Sequence, residues 1–161
     1  MKKGLVIAIS VCFCLVMIGL AVAFINLPRT NLYNSDKKLA ADFNTYNLAH
    51  ANENVDDHKI TGKFETFEGM IKLWELEAEE DAEITMEYTL HVTKGNVKLV
   101  LISPDGTVST LVEKTGESPD DGADSLKVPV KAGENRIKIV GDKNSGVEFE
   151  LSMDEGKFVS Y

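Results

Sequence analysis

Glu83-Ile84-Thr85-Met86-Glu87-Tyr88-Thr89-Leu90-His91-Val92 is the stretch on which the reading of this chain turns. Ile84, Met86, Tyr88, Leu90 and Val92 alternate with Glu83, Thr85, Glu87, Thr89 and His91, so an extended backbone carries one dry face and one wet face. A sheet with one side against a core requires that pattern. His91 falls on the wet side and reads as a solvent-facing strand residue before it reads as a catalyst.

The alternation continues in both directions. Ile71 and Leu73 lie on one face of an upstream strand and Met70, Trp74 and Leu76 on the other. Downstream come Val97, Leu99 and Leu101, then Val108 and Val112, then Leu126, Val128 and Val130, then Ile137 and Ile139, then Val147, Phe149, Leu151 and Met153. With a weaker strand around Ile60 to Phe64, about eight strands are expected. Turn chemistry separates them at Lys94-Gly95-Asn96, Pro104-Asp105-Gly106, Lys131-Ala132-Gly133 and Asp142 to Gly146, and links this short favour antiparallel neighbours. No helical period of useful length appears after His58. Residues 59–161 are therefore expected to form an all-β, antiparallel β-sandwich. They contain no cysteine, so packing alone must hold them.

Ahead of this lies Leu5 to Ile25, 21 uncharged residues preceded by Lys2 and Lys3. As a helix the run spans about 31 Å, close to the hydrocarbon thickness of a bilayer. The flanking positive charge places the N-terminus in the cytoplasm and the bulk of the chain outside, as a single-pass protein of the cell membrane. Ala21-Val22-Ala23 offers a signal-peptidase site, in which case the product is secreted; the apolar character running on through Phe24, Ile25 and Leu27 favours a retained anchor. Cys12 and Cys14 come after Val11 and Phe13, where a lipoprotein signal wants a small residue. Residues 1–27 are thus read as anchor or signal, and 28–58, polar and rich in Asn, Asp, Lys and Ala, as a stalk. Within the stalk a short helix is expected over 35–49, capped by Ser35, with Leu39, Phe43 and Tyr46 on one stripe.

Beyond Leu27 the chain carries 15 basic and 26 acidic residues. Such a surface disfavours nucleic acid as a partner. Its densest acidic run, Glu75, Glu77, Glu79, Glu80, Asp81 and Glu83, reads as a solvated face, because carboxylates alternating along a strand splay apart. Asp120, Asp121 and Asp124 around Gly122 form the better Ca²⁺ candidate, a loop able to wrap an ion, although the spacing is not that of an EF-hand. His50 and His58 are too far apart in sequence to imply one metal. No nucleophile elbow, phosphate loop, zinc-protease or kinase pattern occurs, so no catalytic residue and no cofactor is assigned. Trp74, between Leu73 and Leu76, reads as core rather than as a sugar-stacking platform.

Val97 to Gly106, Val128-Pro129-Val130-Lys131-Ala132-Gly133, Ile137-Lys138-Ile139-Val140 and Gly146-Val147-Glu148-Phe149-Glu150-Leu151 together resemble bacterial pre-peptidase C-terminal-type domains. The shared features are a strand ending in a Pro-Asp-Gly turn, an Ala-Gly turn into a strand, and a Gly-started terminal strand. The resemblance covers about residues 83–153 and implies a jelly-roll-like accessory module without chemistry of its own. The resulting expectation is a membrane-anchored, non-catalytic domain that contacts another envelope or surface protein. The rival is a small-ligand or carbohydrate-binding module, for which exposed aromatics would speak; a hydrolase with a carboxylate pair stands behind both.

Overall fold

The computed structural model describes residues 32–119 and 122–160. Leu5 to Ile25, Ala21-Val22-Ala23, Cys12, Cys14, Asp120 and Asp121 lie outside the described residues. Every described element belongs to one compact unit that begins at Leu32. Among the described residues no helix is long and apolar enough to cross a membrane.

A 3-10 turn, Leu32–Asn34, and a one-turn helix α1, Asp36–Leu39, lead into eight strands: β1 (Thr45–Asp56), β2 (Lys59–Ala78), β3 (Ala82–Lys94), β4 (Asn96–Ile102), β5 (Val108–Thr115), β6 (Asp124–Val130), β7 (Gly133–Met153) and β8 (Lys157–Phe158). All pairings are antiparallel, in the order β1-β2-β7-β3-β6, with β4 between β7 and β5 and β8 on β2. The expected all-β antiparallel architecture is therefore present.

β2 and β7, of 20 and 21 residues, pair along their whole lengths and form the frame. The second half of β7 pairs with β3 and its first half with β4. Register shifts between Phe64 and Phe67 and between Phe67 and Gly69 mark a corner where the sheet folds over. Bulges of this kind bend and twist a strand. Layer one comprises the first half of β2, the second half of β7, β3, β6 and most of β1. Layer two comprises the other halves of β2 and β7 with β4, β5 and β8. Ile60, Phe64, Leu90 and Phe149 from the first and Ile71, Leu73, Leu99 and Ile139 from the second belong to one buried cluster, which makes the arrangement a sandwich. At the corner a Cβ on Gly141 would overlap the Phe67 ring, and Gly69, at φ 127°, lies against the Thr45 carbonyl. Phe67 and Phe149 each meet Phe64 edge-on, with centroids 5.4 Å apart.

Eight strands agree with the expected number, but their composition differs. The segments around Ile60 and Trp74 are one strand, as are those around Ile139 and Phe149. Asp142 to Gly146 is the bend inside β7 rather than a turn between strands, with Asn144 at φ 57°. β1 and β8 make up the number. A third register shift, between Lys72 and Trp74, returns Trp74 to the interior beside Leu73 instead of opposite it.

The expected polar stalk over 28–58 is also corrected. Thr45–Asp56 is a full strand, joined to β2 through the two-residue link Asp57-His58. Of the helix expected over 35–49 only Asp36–Leu39 forms, and Ser35 makes no side-chain cap bond. The physical reason lies on layer two, whose outward side chains Met70, Val100, Ile102 and Val140 are apolar. Tyr33 and Leu39 bury themselves against them. A segment that looks uncommitted by itself is fixed by a surface built from three other strands.

Candidate functional site

The outer face of layer one is open. Strand register sets Asn54, Thr61, Glu150 and Thr89 in one row across β1, β2, β7 and β3, and Asn52, Lys63, Glu148 and His91 in the next. These eight side chains are the wet half of the period-two pattern on four strands. They line a shallow groove of about 540 Å³. Lys59 Nζ stands 2.7 Å from Glu150 Oε1 and Lys63 Nζ 3.0 Å from Glu148 Oε2, so two of the three carboxylates lining the groove are balanced by ammonium groups, while the third, Glu53, accepts from Ser160 Oγ at 2.8 Å. Amides, hydroxyls, carboxylates, an ammonium and an imidazole thus point to one side of a flat backbone, offering donors and acceptors together. A nucleophile with an oriented base does not occur among them. Glu75, Asp81 and Asp105 are held below the usual carboxylate range: Glu75 by Lys72 and then Lys157, Asp81 by Lys131 and the Ala132 N–H, Asp105 by the Thr107 N–H. Such carboxyls are poor general acids at neutral pH.

Of the Ca²⁺ candidates, Asp124 is described and both its oxygens are engaged: Tyr88 Oη donates to Oδ2 at 3.1 Å and the Ser125 N–H to Oδ1 at 2.8 Å. Among the described residues no group of three or more His, Cys, Asp or Glu side chains is placed to hold a metal. The acidic run is partly consumed in ion pairs, Glu75 with Lys72 (2.6 Å) and Lys157 (2.9 Å), and Asp81 with Lys131 (2.7 Å). Trp74 is buried and donates through Nε1 to the Glu155 carbonyl at 2.9 Å, as a core residue does. The large hydrophobic side chains most exposed among the described residues are Phe43, at 57%, and Tyr46, at 42%.

Reading the sequence reached His91 and its face but missed Asn52 and Asn54, because it placed them in a stalk. The missing signal is local: Val55 and Ile60 flank Asp57-His58, a link without the Asn-Gly or Asp-Gly that announces a tight hairpin.

No family model matches this chain, and no curated protein matches it. Among solved structures it is similar to an exo-β-1,3-galactanase from Phanerochaete chrysosporium solved with galactose (12% identity, 70% of this chain and 30% of that chain, TM-score 0.37). It is similar also to CBM35 from Paenibacillus barcinonensis (12% identity, 74% and 98%, TM-score 0.37). A third is a family 35 carbohydrate-binding module from Clostridium thermocellum (9% identity, 73% and 94%, TM-score 0.36). This chain spans 30% of the galactanase chain. Likenesses this distant assign neither family nor ligand, and the site is read from its own residues.

Proposed function

We propose that this chain is a non-catalytic, extracytoplasmic recognition domain whose groove on layer one binds a small hydroxylated ligand of the carbohydrate class. The observation that carries this reading is the double row of hydrogen-bonding side chains drawn from four adjacent strands. A polyol presents alternating donors and acceptors, and such a row matches them without needing a charge on the ligand. Two of the groove's three carboxylates, Glu150 and Glu148, are already paired with Lys59 and Lys63, which supports binding rather than bond cleavage. Export and a single-pass anchor with a cytoplasmic N-terminus are supported by Leu5 to Ile25 and by Lys2 and Lys3.

The test is titration with a panel of neutral and acidic mono- and oligosaccharides, monitored by amide chemical shifts. Binding should move the resonances of Thr61, Thr89 and His91. Asn54→Ala and Thr61→Ala should each weaken it about fivefold to tenfold, the worth of one ordinary hydrogen bond. Absence of any shift on the groove at millimolar sugar across the panel overturns the reading. A protein partner is the second reading, and the exposure of Phe43 and Tyr46 favours it.

A further inference from the structure

Among the described residues β1 is the terminal strand of layer one, paired on one side only. Terminal strands are ordinarily blunted with lysine, proline or shortness, because an open ladder recruits another strand. The other edges here obey that practice: β6 contains Lys127 and Pro129, β5 carries Lys114, and β8 has two residues. β1 runs for 12 residues without lysine, arginine or proline; what guards it is the charge of Glu53 and Asp56 and the break at His50, which leave both halves of the ladder open. The exposed aromatics sit at the same place, Tyr46 within β1 and Phe43 just before it.

The strand is also complementary to itself. Its pairing with β2 shows which face each residue occupies: Val55 lies opposite Ile60 and Leu48 opposite Phe67, both partners being core residues. Val55 and Leu48 therefore share the core side although one is odd-numbered and the other even. The change of face falls at His50, at φ 51°. An ordinary strand can be paired antiparallel with its copy by matching odd to odd; this one must match odd to even, with the switch at the centre. Such a pairing sets Tyr46 opposite Val55, Leu48 opposite Glu53, Asn47 opposite Asn54 and Ala49 opposite Asn52, so every pair keeps one face. Glu53 and Asp56 occupy the same half of the strand, so in the antiparallel pair neither meets an acid from the other copy. The ladder is interrupted at His50, on the dyad, and runs unbroken to either side.

We infer that β1 is a homodimerisation edge: two copies join β1 to β1 about a two-fold axis at His50 and Ala51, continuing layer one of each into the other. The interface is isologous, with one patch facing itself, and its affinity comes from main-chain hydrogen bonds with Tyr46 and Val55 adding apolar cover. It goes beyond the groove reading and rests on the main chain of β1, although the side chains of Asn52 and Asn54 on that strand also line the groove.

The test is disulfide trapping in the full-length protein in membranes, in a background with Cys12→Ser and Cys14→Ser. Asn47→Cys combined with Asn54→Cys should give a covalent dimer under mild oxidation. Each single variant should not, because the two copies of either residue are then roughly 20 Å or more apart. Adding Ala51→Lys to the double variant places two ammonium groups beside the dyad and should reduce the dimer by more than about tenfold. Circular dichroism on each variant guards against misfolding, and Asn47, Ala51 and Asn54 are all exposed. A double variant that stays monomeric, single variants that cross-link as well as the double, or a dimer undiminished by Ala51→Lys each overturn the assignment.

Discussion

The outer faces of the two layers are built from the same two strands and have opposite fates. On layer one, β2 and β7 turn Thr61, Lys63, Glu148 and Glu150 outward, and the face stays open as a groove. Beyond the corner the same strands turn Met70, Lys138 and Val140 outward, and the face is buried under residues 32–43. Lys138 is 1% exposed. Its ammonium donates to the carbonyls of Ala41 and of Phe43, while Arg136 holds Asp42 at 2.7 Å and the Ala40 carbonyl at 3.2 Å. Outside Lys138, Lys98 sits 4.5 Å from the centre of the Tyr33 ring, and Tyr33 Oη donates to Glu113 at 2.8 Å. What a long strand does with its outward side is thus decided by a few side chains per half. Apolar residues demand a cover and hold it, whereas ion-paired polar ones leave a surface for something else.

The largest effect should come from uncovering layer two. Leu39 is 0% exposed and anchors the covering segment. Leu39→Ala should lower stability by about 2–5 kcal/mol, the usual cost of truncating a buried leucine, read as a shift of the denaturation midpoint at unchanged slope. Asn54→Ala on layer one should change it by no more than about 0.5 kcal/mol. Equal effects at the two sites would erase the distinction between a covered face and an open one.

This contrast also explains what the sequence disclosed. The alternation at Ile84 to Val92 is a property of one strand and was legible, as were the turns at Gly95, Gly106 and Gly133, which take φ of 72°, 81° and 106°. Illegible was anything that required two distant segments at once. Leu39 looks like one apolar residue in a polar stalk until Met70 and Val140 are known to face it. Lys138 between Ile137 and Ile139 reads as the wet position of a strand, and nothing nearby says that Ala41 and Phe43 will cover it. The same holds for the groove: His91 was placed on the right face, but its neighbours Glu148, Lys63 and Asn52 are set by register across three strand pairs.

Solution pH should act on the covered face through Lys138 and Tyr33. Burial, with Arg136 next, lowers Lys138 from 10.5 to about 8. Between about pH 8 and 10 the unfolded chain therefore binds a proton that the folded chain has shed, and stability rises with pH over that window. The gain should be on the order of 2 kcal/mol. Burial and the bond to Glu113 push Tyr33 the other way, well above its ordinary 10.0. Above about pH 10 the unfolded chain loses a proton that the fold keeps, so stability falls again. Denaturation midpoints across this range should trace a maximum near pH 10, and the rise should vanish in Lys138→Met. A profile with the same rise in the variant would detach the effect from the covered face.

The smallest effect on stability should come from the ion pairs of the open face. Lys63 and Glu148 are 62% and 58% exposed and 3.0 Å apart, so water and salt screen them. Lys63→Ala should change stability by less than about 1 kcal/mol. Its effect on the groove is a separate matter, since it leaves the Glu148 carboxylate without its ammonium beside His91, directly across the strand pair. If the groove binds a neutral polyol, removing the Lys63 donor should weaken binding about fivefold to tenfold while the melt barely moves. A large stability loss with unchanged binding would mean that the open face is held together by its charges, and is in that respect no different from the covered one.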